Sequence, residues 1–311
     1  MTNGRTTGIA VITATSVLWG TTGTAATFAP HAGPLAIGAA ALGIGGLLQA
    51  AIALPNLRRA RPSLSAHRGV VVLGAAAVAV YPLAFYSSMH LAGVATGSVV
   101  SIASAPLASG LLEWVVSRRT PSRWWMLAAV LGVAGSALLC LSKGDQPSES
   151  VSHTAIGVIL GLAAGASYAT YSWAAQLLMR RDIDRAAAMG AVFGAGGLLL
   201  MPVLAVTGAP LIATADAFMV AAYMALIPMF VGYVLFGYGL SHVPASTATT
   251  ITLIEPAVAT LLAVAVVGEK LTPTGWAGLC IIAGALVVLA VAPGDAAELI
   301  IRENVPAEQV S

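Results

Sequence analysis

Long stretches with almost no charge are the feature that most restricts how this chain can fold. Val70–Met89 contains no residue charged at neutral pH, and Ile251–Gly268 contains only Glu255. A helix needs about 20 mostly apolar residues, rising about 1.5 Å each, to cross roughly 30 Å of hydrocarbon. Inside lipid every backbone N–H and C=O must find its partner within the protein, so runs this long and unalternating form helices rather than barrel strands. Charged residues make up 8% of the 311, against 58% hydrophobic. A soluble domain carries about 25% charged residues. The chain therefore cannot cover itself with a water-compatible surface, and it reads as an all-α integral membrane protein.

Ten spans follow, at 8–28, 35–54, 69–90, 94–116, 124–141, 154–178, 187–206, 216–240, 245–267 and 274–292. Breakers mark the connections: Pro30–Pro34, Pro55–Pro62, Thr120–Pro121, Pro147, Gly208–Pro210, Pro244 and Pro273. Basic residues near span ends set orientation. With the N-terminus in the cytoplasm, one side receives Arg5, the Arg58–Arg68 group, Arg118, Arg119 and Arg123, the Arg180–Arg185 group and Arg302. These are all twelve arginines, while only Lys143 and Lys270 fall outside. An odd number of spans would spoil this sorting. The arginines accordingly read as topology anchors beside the anionic leaflet. The polar segment Ser142–His153 divides residues 1–145 from 146–292, and 293–311 form an acidic cytoplasmic tail.

Sliding the chain on itself by 150 residues superposes the fourth and ninth spans. Ala95 then meets Ala245, Thr96 meets Ser246, Pro106 meets Pro256 and Leu111-Leu112 meets Leu261-Leu262. At an offset of 152, Trp124 meets Trp276 and Gly132 meets Gly284; at 149, Gly8 meets Gly157 and Trp19 meets Tyr168. Five spans per copy is an odd number, so a tandem copy enters the membrane upside down. Inverted repeats are a recurring basis of secondary transporters, with the site near the bilayer midplane between the halves.

Val17-Leu-Trp-Gly20, Val94-Ala-Thr-Gly-Ser-Val-Val with Ala105-Pro106, and Val243-Pro-Ala-Ser-Thr-Ala with Leu253-Ile-Glu-Pro256 and Val267-Gly-Glu-Lys-Leu-Thr272 resemble the drug/metabolite transporter superfamily. The resemblance is to its EamA-type ten-helix members, two five-helix repeats spanning residues 8–292. The first half departs from the pattern, with Ser117-Arg-Arg-Thr-Pro where the second has Gly268-Glu-Lys-Leu-Thr-Pro. The resemblance implies a proton-linked or facilitative carrier, often an exporter of amino acids or related metabolites. It implies a multi-pass protein of the plasma membrane (the bacterial inner membrane) with both termini cytoplasmic.

Glu255 is the sharpest candidate residue. An ionisable side chain at mid-span costs about 2.5–3.5 kcal/mol on insertion scales. Such a group faces the bundle interior or a wet cavity, either binding cargo or a proton, or hydrogen-bonding across helices as a neutral acid. Pro106 and Pro256 are hinge candidates; each removes an N–H and so frees the carbonyl four residues back, on Ile102 and Thr252. The alternative for both is a packing kink, and Pro82 and Pro228 make similar kinks in the third and eighth spans. Deep aromatic residues need partners for their polar tips, which puts Trp19, Tyr81, Tyr86, Tyr168, Tyr171 and Tyr233 beside Glu255 and Thr252 as cavity candidates. Trp124, Trp125 and Trp276 at span ends read as interface anchors. Gly157, Gly161 and Gly165, with Gly190 and Gly194, read as ridges for close helix approach. Glu113 reads as structural, snorkelling to the interface or paired with Arg118 or Arg119, and His90 and His242 as solvated ends, with a proton relay through them the alternative.

Several classes are excluded or disfavoured. A P-loop needs a glycine before its lysine, whereas Lys143 follows Ser142 and Lys270 follows Glu269. No HExxH and no GxSxG elbow occurs, so no catalytic or metal site and no cofactor is expected. A net charge of +2 gives no reason for a nucleic-acid partner. Cys140 and Cys280 read as packed apolar side chains. The expected partners are a small-molecule substrate and the lipid bilayer, with no indication of a homo-oligomer. A channel, a receptor or a scaffold without turnover is the alternative class, and drug or nucleotide-sugar cargo the alternative within carriers.

Overall fold

The structure, a computed structural model, describes residues 2–26, 28–92, 94–118, 121–142, 151–262, 264–265 and 272–291. Lys143, Lys270, Arg302, the 293–311 tail and the Gly268–Leu271 stretch lie outside the described residues. Among those described, the elements are helical and no strand occurs.

The first span is α1 (Thr2–Gly20) followed by α2 (Thr22–Ala26), and the second is α3 (Pro34–Ile52). A surface helix, α4 (Leu54–Ala66), precedes the third span α5 (Arg68–Ala92), the fourth α6 (Val94–Ser117) and the fifth α7 (Arg123–Ser142). The second half begins with α8 (Val151–Met179) and α9 (Arg185–Thr207). Its third member runs through α10 (Ala215–Met224), a π-helical segment Ala225–Val231 and α11 (Gly232–Leu240). The ninth span is α12 (Ala245–Ile251) and α13 (Ile254–Leu262), and the tenth is α14 (Pro273–Val291). Among the described residues, eight spans are long and apolar enough to cross a bilayer, and the fifth and tenth contribute two shorter apolar helices, Arg123–Leu138 and Pro273–Val288.

Local chemistry fixes several starts. Asp184 caps α9 by accepting from Ala186 N (3.0 Å) and Ala187 N (3.3 Å), Thr214 caps α10 through Ala217 N (3.2 Å), and Ser122 caps α7 through Trp125 N (3.1 Å). Helix α8 stops where Asp182 turns left-handed at φ 58°, with Ile183 N donating to Leu178 O.

The packing has the exchange pattern of a two-fold axis relating the halves. The third span packs on the sixth (α5 on α8), and its repeat equivalents, the eighth and first, pack likewise (α11 on α1). The fourth lies against the sixth (α6 on α8) as the ninth lies against the first (α13 on α1). Two pairs are their own equivalents: the second with the seventh (α3 on α9) and the fifth with the tenth (α7 on α14). Small residues make these self-paired contacts close. A methyl placed on Gly197 would sit 2.7 Å from Gly43 O, and one on Gly135 would sit 2.8 Å from Gly278 O. The glycine ridges behave as expected: Gly157 and Gly161 face Ala92 and Ser88 of α5, and Gly190 and Gly194 face Ala53 and Ala50 beside α3.

Three local readings need correction. Residues 54–66 are not a plain break: Pro55 sits in the first turn of α4, where its missing N–H costs nothing. Ala60 and Leu64 rest on the core while Arg58, Arg59 and Arg61 point outward. Trp125 is not an interface anchor but is buried, its ring pressed on Gly110 of α6. Glu113 has a partner that the sequence did not suggest: it accepts from Ser246 N (3.0 Å) and Ser246 Oγ (2.8 Å) at the start of α12. A free N-terminal turn competes well for a carboxylate, because its N–H groups have no partner in the helix.

Candidate functional site

Three of the spans lose regular helical geometry at one level of the bundle. In the ninth, Pro256 has no N–H to give Thr252 O, so α12 ends at Ile251 and α13 restarts after a turn at Thr252–Leu253. Glu255 N donates to Thr252 O instead (2.9 Å), so that carbonyl is occupied rather than open to a path. The first span breaks at Thr21, directly after Gly20, whose missing side chain admits Val258 and the Glu255 carbonyl. In the eighth, the π-helical turn carries Pro228, and Trp19 Nε1 donates to Pro228 O at 2.8 Å. Such π-segments recur at functional sites. By contrast α6 runs unbroken through Pro106 and α5 through Pro82, so the two repeat-equivalent prolines act differently.

These irregular segments enclose a cavity between the halves. Trp19 and Thr22 come from the first span, Gly38, Ala41 and Leu42 from the second, and Tyr81, Pro82, Phe85 and Tyr86 from the third. The second half supplies Met229, Tyr233 and Glu255. Gly38 leaves room for Tyr86, whose ring would lie 3.0 Å from a methyl there. Glu255 is buried, and its carboxyl has no hydrogen-bond partner among the described residues. The cavity offers about 20 Å³ to the centre of a water molecule, room for about one water. The site is narrow around its acid.

Behind the wall lies an aromatic layer. Tyr171 OH and Tyr233 OH share a hydrogen bond at 2.6 Å, and Tyr168 OH donates to Thr252 Oγ1 at 3.0 Å. Trp19 stacks obliquely on Tyr233 (4.7 Å) and meets Tyr168 edge-on at 6.0 Å, so the two repeat-equivalent aromatics do come together. Of the residues expected here, Glu255, Trp19, Tyr81, Tyr86 and Tyr233 line the cavity, while Tyr168, Tyr171 and Thr252 support it from behind. His90 and His242 are exposed, far along their spans.

Sequence reasoning passed over Phe85, Met229 and Thr22. Helical spacing could have found them, because Phe85 follows Tyr81 by four residues, Met229 precedes Tyr233 by four and Thr22 follows Trp19 by three. It also passed over Gln176, a polar residue in an apolar span and thus conspicuous on the same grounds as Glu255. Gln176 Nε2 donates to Leu240 O (3.0 Å) and Val243 O (2.6 Å), and its Oε1 accepts from Ala245 N (3.1 Å). It ties the hairpin between the eighth and ninth spans to α8.

The sequence model of the EamA-like transporter family matches twice, over residues 6–141 and 155–291. The chain belongs to the EamA-like transporter family. The two EamA-like matches correspond to the two halves whose helices exchange partners about the pseudo-two-fold. A curated relative, the uncharacterized transporter YwfM of Bacillus subtilis (strain 168), is 37% identical over 276 residues, covering 88% of this chain and 90% of that protein. A solved structure, described as a crystal structure of a protein, superposes with a TM-score of 0.73 at 18% identity. It covers 96% of this chain and 99% of the other, a likeness of fold alone. The protein is therefore a multi-pass membrane transporter of EamA type.

Proposed function

We propose that this EamA-like protein is a secondary carrier that exports small metabolites such as amino acids by alternating access, with proton movement linked through Glu255. One observation carries the reading: a buried carboxyl without a hydrogen-bond partner among the described residues faces a narrow cavity between two pseudo-symmetric halves. A group placed there at a cost of about 2.5–3.5 kcal/mol, with no structural bond to make, is suited to exchange a proton for cargo. The groups around it are the phenols of Tyr81, Tyr86, Tyr168 and Tyr233, and no basic side chain among the described residues lines the cavity beside it. Rocking one half against the other would open the cavity to either side. A channel reading is disfavoured, since a conducting path must be continuous and this cavity has room for about one water.

In this reading the protein sits in the bacterial inner membrane with both termini in the cytoplasm, and its repeats divide near 1–145 and 146–292. The arginine-bearing side, with α4 and the hairpin held by Gln176 and Glu113, is then cytoplasmic. The test is transport in proteoliposomes, using a cargo found by thermal-shift screening. Wild-type protein should accumulate cargo against its gradient when a pH difference is imposed and should show saturable counterflow. Glu255→Gln should lose the pH-driven accumulation. Unchanged pH-driven transport by that variant overturns the reading.

A further inference from the structure

The lining of the cavity is chemically one-sided. Five aromatic rings, from Trp19, Tyr81, Phe85, Tyr86 and Tyr233, surround one carboxyl, and among the described residues no lining side chain carries a positive charge. The rings pack on one another in several ways: Tyr81 and Phe85 are stacked at 5.6 Å, Phe85 and Tyr86 are edge-to-face at 5.2 Å, and Trp19 and Tyr233 are tilted at 4.7 Å. Aromatic faces attract cations, and the attraction grows when water is excluded.

Two of the lining donors are taken, which leaves the hydroxyls of Tyr81 and Tyr86 as neutral donors. Trp19 Nε1 donates to Pro228 O, and Thr22 Oγ1 donates to Trp19 O at 2.7 Å. The start of α13, the nearest half-helix N-terminus, is a poor anion cradle. Its Glu255 N–H is held by Thr252 O, and Pro256 has no N–H. A carboxylate entering here would meet another carboxyl and no counter-charge, which disfavours it electrostatically.

We infer that the cavity selects organic ammonium cations with a compact apolar or aromatic body, and discriminates against zwitterions and anions of the same shape. Within the carrier reading, on which this rests, the cargo class narrows from amino acids at large to amines that carry no free carboxylate. Glu255 receives the ammonium group while Trp19, Tyr81, Phe85, Tyr86 and Tyr233 pack the body. The narrow state described here would open by moving the half that carries Tyr81 and Tyr86 away from the half that carries Glu255 and Tyr233.

The test uses the full chain in detergent or nanodiscs with four probes that share one phenyl group: 2-phenylethylamine, phenylalanine, 2-phenylethanol and 3-phenylpropanoate. Binding is read from Trp fluorescence and from calorimetry. 2-Phenylethylamine should bind saturably, and each of the other three should bind about tenfold more weakly or not at all, a difference of about 1.4 kcal/mol. Glu255→Gln should remove that preference. Tyr81→Leu, which keeps the acid, should weaken the amine alone. Equal or tighter binding of phenylalanine or 3-phenylpropanoate overturns the inference, and so does failure of 2-phenylethylamine to bind. The two failures separate cleanly: pH-driven transport that depends on Glu255 but favours a zwitterion leaves the carrier standing and removes the cation preference.

Discussion

At the scale of single residues, buried polar tips decide which aromatics support the site. Tyr171 and Tyr233 are both fully buried and satisfy one another across 2.6 Å, linking α8 to α11. Removing one hydroxyl leaves its partner without a bond in a dry interior, which costs about 1–3 kcal/mol, whereas removing both is nearly neutral. Tyr171→Phe and Tyr233→Phe should therefore each lower the thermal midpoint in detergent, and the double variant should return close to the wild-type value. Additive losses would mean that the two hydroxyls do not depend on each other. The tyrosines were legible in the sequence as deep aromatics needing partners. Which partner each takes was not, because that depends on how α8, α11 and α12 lie side by side. The same holds for Trp125: its position at a span end suggested the interface, and only the packing of α7 on α6 reveals that Gly110 receives it.

At the scale of elements, the discontinuous ninth span is held at its start by side chains from two other helices. Glu113 of α6 accepts two bonds from Ser246, and Gln176 of α8 makes three with the preceding hairpin. The repeat gives no copy of the Glu113 contact, since the position 150 residues on is Ala263. Glu113→Ala removes a cap of the kind that contributes about 0.5–2 kcal/mol. Hydrogen exchange over 241–252 should quicken in that variant and quicken more in Gln176→Ala, which strands Leu240 O, Val243 O and Ala245 N. Exchange unchanged in both would show that lipid-facing packing alone holds α12. Prolines were read as kinks from the sequence, yet α5 and α6 continue through Pro82 and Pro106 while the ninth span breaks before Pro256. A proline removes the same bond in each; the neighbours determine whether the helix bends, unwinds or is held straight.

For the whole molecule, the contact between the second and seventh spans lies where the pseudo-two-fold relates a helix to its own equivalent. Backbone meets backbone there, with Gly46 on the Phe193 carbonyl and Gly197 on Gly43. A methyl on Gly46 has no flexible side chain to displace, so Gly46→Ala should destabilise by about 1–3 kcal/mol through forced overpacking. Gly284 is a matched control, because nothing lies within 4 Å of a methyl placed there. Gly284→Ala should leave the thermal midpoint unchanged or raise it by up to about 1 kcal/mol in stability. If the two variants behave alike, close approach at the axis is not what holds the halves together.

The sequence by itself determined the membrane-spanning helical class, the ten spans, the doubling of a five-span unit and the acid at mid-span. Those follow from local quantities, namely charge content, apolar run length and self-similarity, which survive without knowledge of who touches whom. The tertiary structure decided the rest. It brought Glu255 to face Tyr81 and Tyr86 across the halves, put Tyr168 and Tyr171 behind the wall rather than in it, and gave Glu113 to Ser246. In lipid an apolar helix face looks the same whether it meets tails or another helix, so hydropathy cannot say which faces pair. Only close packing at small residues and the satisfaction of a few buried polar groups fix that choice, and both depend on residues far apart in the chain.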